Sequence, residues 1–185
     1  VCTRNCRYCA IRSGAPGPAD PTEPERVARA IAELGLRYAV ITSVTRDDIP
    51  DGGAALFAAT VRAIRGISPH CRVEVLIPDF GQSMETSIER VMEAGPDVIN
   101  HNIETVGSLF PSLRPRGDYS LSLRLLARVA SSGRPAKSGL MLGLGESMDQ
   151  VRATLEDLLR AGCSILTAGQ YLRSRRENHP VERFY

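Results

Sequence analysis

The chain has 185 residues, 43% of them hydrophobic, with 23 basic against 21 acidic side chains and a net charge of +2 at pH 7. That length suits one domain with a full core, and the near-balance of charge argues against nucleic acid or an anionic membrane as a partner. No apolar run is long enough to span a bilayer and no signal peptide is present, so the expected location is cytoplasmic, with reduced cysteines.

The chain opens on a cysteine-rich stretch, with Val1 where an initiator methionine would stand, and reads as part of something longer. Residues 12–24 are rich in Gly, Pro and Ala and read as a loop. Pro24 and Glu25 open an amphipathic helix that runs to about Leu34 and is stopped by Gly35. Tyr38–Val44 is a β-rich run, followed by a loop over 45–53 and a helix from Ala54 to Ile67. Arg72–Ile77 is the next strand, ended by Pro78-Asp79. A helix from Met84 to Ala94 precedes a strand from Asp97 to Ile103. Helix Tyr119–Ser131, strand Lys137–Leu142, helix Met148–Ala161 and strand Ser164–Thr167 complete the pattern, and 173–185 is an irregular tail. Strands and helices alternate throughout, which predicts an α/β fold with a parallel sheet in a single domain over 1–185.

Cys2, Cys6 and Cys9 stand at C-x3-C-x2-C spacing, close enough for three thiolates on one loop to face one metal centre. Cubane iron–sulfur clusters take cysteine thiolates, normally four, so three local ligands leave one iron open. A structural zinc site wants four ligands in pairs, and Cys71, Cys163, His70, His101 and His179 are too scattered to supply the second pair. Five cysteines is an odd number, which argues against a disulfide framework. Incidental thiols are the remaining alternative.

With Tyr8 before the last cysteine, this spacing resembles the radical S-adenosylmethionine signature. Longer stretches resemble the lipoyl synthase family in that family's order. They are 41–48 with 50–53, 73–80, 100–105, Arg114-Pro115, 137–146 and 169–172. The resemblance implies a partial (β/α)6 TIM-like barrel whose first strand ends just before Cys2 and is truncated here. It implies a [4Fe-4S] cluster on Cys2, Cys6 and Cys9, whose open iron binds the amino and carboxylate groups of S-adenosylmethionine. Tyr8 would lie near the adenine, and Ser43 or Asp47 near the methionine amino group. Arg114 would pair with the carboxylate, and Met141 would join the cofactor-binding set. The implied reaction inserts sulfur at C6 and C8 of a protein-bound octanoyl-lysine, with no catalytic residue beyond the cluster ligands. A second, auxiliary [4Fe-4S] cluster would be the sulfur donor, with ligands outside this chain. The implied partners are an octanoylated lipoyl-carrier domain and an electron donor such as flavodoxin or ferredoxin. The alternatives are another radical enzyme, such as a biotin-synthase-like sulfur inserter, or a non-catalytic zinc-binding domain.

Local readings accompany these assignments. Asn100, Asn102 and Glu104 alternate, so one strand would present them on one face. There they would bind a ribose or amino group, or form a polar layer within the sheet. His101 faces the other way, as a satisfied core histidine. Glu74, inside an apolar strand, is expected to pair with Lys137 or an arginine. The Gly143-Leu144-Gly145 turn leaves room for close approach of a flat base. Cys71 and Cys163 read as small core residues.

Overall fold

The computed structural model describes residues 1–185. Helix α1 (Glu23–Glu33) starts with Pro24 in its first turn and buries Pro24, Ala28 and Ile31, a spacing that puts all three on one face. Gly35, at φ +61°, carries the chain out of it. Strand β1 (Tyr38–Thr42) leads to α2 (Ala54–Ile67), and β2 (Arg72–Leu76) leads to α3 (Met84–Glu93). Strand β3 (Val98–Asn100) is followed by the short α4 (Phe110–Leu113) and by α5 (Tyr119–Ser131). Strand β4 (Ala136–Leu142), α6 (Met148–Arg160) and β5 (Ile165–Gln170) end the regular structure. Side chains fix two of the helix starts. Asp118 accepts the Leu121 amide at the head of α5, and Ser147 and Gln150 form a reciprocal capping box on α6.

The five strands form one parallel sheet in the order β1-β2-β3-β4-β5, the arrangement of a partial (β/α) barrel. Within residues 1–185 no strand precedes Cys2. Alternation along β2 separates the two faces: Val73 and Val75 join the main core, and Glu74 points the other way. That core is a cluster of 29 buried side chains drawn from the sheet and the helices covering it, including Val61, Ile64, Ile88, Ile99, Leu125 and Val129. Each such side chain contributes about 1.5–3 kcal/mol by leaving water. On the opposite face Glu74 accepts from Tyr38 Oη (2.6 Å), Asn100 Nδ2 (3.0 Å) and Lys137 Nζ (2.8 Å), the expected pairing with Lys137.

Three strand boundaries differ from the sequence reading by two residues or more. β1 stops at Thr42, two residues early, and β5 runs on to Gln170. β3 covers only 98–100, and beyond it Glu104 adopts φ +68°. Glu104 instead makes an isolated bridge to Leu140, with Glu104 N donating to Gly139 O and Met141 N to Glu104 O. Asn100, Asn102 and Glu104 therefore do not share a strand face.

Candidate active site

In a parallel sheet the loops after the strands gather at one end, and the side chains they carry meet there. The cysteine loop lies across that end. Thr3 N and Thr3 Oγ1 both donate to Thr45 O, beyond β1, at 3.2 and 3.0 Å. Arg7 N donates to Leu113 O at the end of α4 (2.9 Å). Arg4, only 8% exposed, reaches two carboxylates from two different loops. Its Nη1 and Nη2 donate to Asp79 at 2.6 Å each, and its Nε and Nη2 donate to Asp47 at 3.1 and 2.9 Å. Burial alone would raise the Asp79 carboxyl, but the Arg4 guanidinium outweighs it and holds the group below the usual carboxylate range.

Cys2, Cys6, Tyr8 and Cys9 face the strand-end loops across a cavity of about 490 Å³. Thr42–Thr45, Leu76–Pro78, His101, Asn102, Glu104 and Arg114 form its other walls. All three loop thiols are free and half-buried. Burial pushes the Cys6 thiol up, opposed by the Tyr8 hydroxyl and the Arg114 charge. Burial also raises the Glu104 carboxyl, against the pull of Arg114 and a hydrogen bond from Asn102. His101 donates from Nδ1 to Ile77 O (2.9 Å), and its Nε2 pairs with Ser122 Oγ (3.0 Å). Burial pushes its pKa down to about 4, so this ring of the cavity wall is neutral.

The structure thus brings Tyr8, Ser43, Asn102, Glu104 and Arg114 together with the three cysteines. Asp47 and Met141 sit behind the lining. Asp47 is engaged by Arg4 and by Thr3 Oγ1 (2.9 Å), and Met141 packs with Tyr8 on the small cluster of Leu113, Leu144 and Tyr171. Ser43 Oγ donates to Val44 O (2.7 Å). Arg114 is not a surface residue. It is 8% exposed, its Nη1 donates to the carbonyls of Asn102 (3.3 Å) and Ile103 (3.2 Å), and its guanidinium lies 4.9 Å from the Phe110 ring centroid.

Two buried polar atoms beside the cavity, Asn102 Oδ1 and Arg114 Nε, have no partner. Buried polar groups are nearly always paired, so a free acceptor and a free cationic donor in one cavity mark a polar, partly anionic ligand. Gly139 makes the seat for Asn102: a Cβ there would lie 2.5 Å from Asn102 Oδ1. The three thiols do not converge as a single-ion site would require. A cubane takes one thiolate per iron, so its ligands stand wider apart, and three free thiols lining one cavity fit it. Cys71 and Cys163 precede β2 and β5, at the far end of the sheet. Cys71 is buried as expected, and Cys163 is half-buried.

Sequence reasoning missed the docking of the tail. Asn178 donates through Nδ2 to Arg7 O and Cys9 O, and His179 N donates to Arg7 O. The space at Gly143, expected to admit a flat base, is filled by Arg183 O and Gln170 Nε2. The loop over 16–20 also closes a second cavity, of about 460 Å³, against β1 and α2.

Residues 1–158 match the family model of the Radical SAM superfamily. The chain is 54% identical over 186 residues to the lipoyl synthase of Methylococcus capsulatus, covering all of this chain and 58% of that protein. It is 52% identical to that of Nitratidesulfovibrio vulgaris, over all of this chain and 61% of the relative. It is 55% identical to that of Pyrobaculum calidifontis, over 95% of this chain and 60% of the relative. The chain therefore spans about three-fifths of the length of these curated relatives. Among solved structures, methylornithine synthase superposes with a TM-score of 0.73 at 13% identity, over 99% of this chain and 53% of that one. Streptococcus suis SuiB bound to S-adenosylmethionine gives 0.74 at 13%, over 99% and 41%. These two likenesses establish the shared partial-barrel fold.

Proposed function

The chain belongs to the radical SAM superfamily, and from that premise we propose that it is the catalytic core of a lipoyl synthase. One observation carries the reading. A chain half-identical to lipoyl synthases over its whole length places Cys2, Cys6 and Cys9 on the same cavity as the unpartnered atoms of Asn102 and Arg114.

Cys2, Cys6 and Cys9 hold the [4Fe-4S] cluster. When bound, the cluster would supply the electron for reductive cleavage of S-adenosylmethionine, with one S-adenosylmethionine and one electron consumed for each hydrogen removed, one at C6 and one at C8 of an octanoyl-lysine. The protein's part is to bind, orient and exclude water. Arg114 lines the cavity, and its guanidinium, with Nε unpartnered, suits the methionine carboxylate. Asn102 Oδ1 accepts from an amino or hydroxyl group, with Glu104 beside it in the same cavity wall. Tyr8, backed with Met141 by Leu113, Leu144 and Tyr171, offers the adenine an apolar wall. Ser43 lines the same wall as Thr42 and Val44 and is the candidate for the methionine amino group. Asp47 acts through Arg4, fixing the loop that carries the ligands.

The substrate is an octanoylated carrier domain, and the electron comes from a small redox protein of the flavodoxin or ferredoxin kind. The sulfur donor is a second [4Fe-4S] cluster whose ligands lie outside residues 1–185. Cys71 and Cys163 stand at the far end of the sheet and do not reach the cavity. The test is product analysis. Anaerobically reconstituted full-length protein, which includes the donor-cluster segments outside residues 1–185, is expected to give a product with sulfur at C6 and C8 when supplied with S-adenosylmethionine, a reductant and an octanoyl-lysine peptide. Sulfur inserted into dethiobiotin instead, or no 5′-deoxyadenosine at all, would sink the reading.

A further inference from the structure

The sequence marks residues 173–185 as an irregular tail, and nothing in their composition ties them to the site. The structure makes Asn178 one of the few buried polar residues of the chain, 7% exposed in a segment whose neighbours Arg175, Arg176 and Glu177 are all exposed. Both N–H donors and the oxygen of its amide are engaged. One N–H of Nδ2 donates to Arg7 O and the other to Cys9 O, both at 3.0 Å. Its Oδ1 accepts from Ser174 Oγ at 3.1 Å. The backbone around it is held as well: Asn178 N donates to Arg175 O and Arg173 Nε donates to Asn178 O. His179 continues the contact, its N donating to Arg7 O (2.8 Å) and its Nε2 to Leu144 O (3.0 Å). Tyr171 Oη donates to His179 O (2.8 Å), which ties the tail to the end of β5.

The two carbonyls that Asn178 holds flank Tyr8 and bracket the turn that carries Cys6 and Cys9. That turn has one internal backbone bond, Cys9 N to Cys6 O at 3.1 Å. Arg4 and its two carboxylates fix the first half of the loop, whereas outside the tail the second half is held by a single backbone bond, Arg7 N to Leu113 O at 2.9 Å. We propose that Asn178 is a positioning residue, a latch from the tail that sets the Cys6–Cys9 turn and so the spacing of two of the three thiolates. A side-chain amide suits this task because its two N–H donors diverge in one plane and span two carbonyls two residues apart. An aspartate in its place has the same shape and no donors, and would set a carboxylate against two carbonyl oxygens. The latch itself needs no cluster, and its effect on cluster retention rests on the reading of Cys2, Cys6 and Cys9 given above.

The experiment compares Asn178→Asp, Ser174→Ala and, as a control at an exposed neighbouring position, Arg176→Ala. In cluster-free protein, amide hydrogen exchange over residues 6–10 is expected to quicken about ten-fold in Asn178→Asp, less in Ser174→Ala, and not at all in Arg176→Ala. In reconstituted protein, iron loss to a chelator should quicken in the same order. The change in the EPR spectrum of the reduced cluster on adding S-adenosylmethionine should shrink in that order too. Exchange and iron loss matching the unaltered protein in both Asn178→Asp and Ser174→Ala would overturn the proposal. So would faster exchange with unchanged iron loss and EPR response, which would make the contact mere docking. If Asn178→Asp does not fold, Ser174→Ala decides by the same criteria. An unaltered protein that takes up no iron would defeat the cluster reading, and the exchange arm would then decide the latch alone.

Discussion

Arg4 and Asp79 meet end to end, with two N···O contacts of 2.6 Å between a guanidinium 8% exposed and a carboxylate 1% exposed. The pair joins the cysteine loop to the turn after β2. That turn is itself unusual, since Phe80 adopts φ +56° directly after Asp79. The pair also decides where Cys2 and Cys6 stand, because Arg4 lies midway between them.

Removing Asp79 strips the buried guanidinium of its fully buried partner and leaves it only the more exposed Asp47, which costs about 3 kcal/mol, the lower end of the range for breaking a buried pair. Asp79→Ala should therefore lower stability by about that amount, read by urea unfolding, and should abolish iron uptake. Asp47→Ala breaks the more exposed of the two contacts, at 24% side-chain exposure, and should cost clearly less. Equal losses in the two variants would contradict the division of labour.

Cys2, Cys6 and Cys9 should act as a unit. Replacing any one by alanine should remove the open-iron cluster and S-adenosylmethionine cleavage together. Cys71→Ala should keep both and cost about 0.5–3 kcal/mol from the altered core. Retained cleavage in Cys6→Ala would count decisively against the site.

Gly139→Ala tests the seat of Asn102. The added Cβ would lie 2.5 Å from Asn102 Oδ1 and 2.9 Å from its Cγ, so the amide must move. The expected result is weaker binding of S-adenosylmethionine, with about 1–3 kcal/mol of stability lost to overpacking. Unchanged affinity, measured by calorimetry on reconstituted protein, would remove Asn102 from the binding site.

His101 gives a pH dependence with a definite sign. Its folded pKa, pushed down to about 4 by burial, lies below the ordinary value of 6.5. Between these values the unfolded chain binds the proton and the folded chain does not. The stability is therefore fully present above pH 6.5 and falls as the pH drops toward 4. His101→Gln should flatten unfolding free energy against pH in that window. An unchanged slope would show that other groups, the paired aspartates among them, carry all of it.

The regular elements were legible because their signals are local. Pro24 and Gly35 bound α1, α2 occupies the expected Ala54–Ile67, and the β-rich runs mark the strand starts. The cysteine loop was legible for the same reason, and Glu74 with Lys137 because a buried charge demands a partner. What escaped depends on distant contacts. Alternation put Asn100, Asn102 and Glu104 on one face, but Glu104 takes a left-handed φ that pairing with β4 imposes and its own residue type does not suggest. Gly143 does give close approach, but to Arg183 O and Gln170 Nε2. Asn178 reaches Arg7 across 171 positions of sequence, and no local pattern announces such a contact.

The most direct test of the central claim follows the hydrogen atoms. An octanoyl-lysine peptide carrying deuterium at C6 and C8 is incubated with reconstituted protein, reductant and S-adenosylmethionine, and the 5′-deoxyadenosine is analysed by mass spectrometry. The account predicts deuterium in that product, first from C6 and then from C8, and none formed by Cys6→Ala. 5′-Deoxyadenosine that carries no deuterium while the peptide stays unchanged would contradict it.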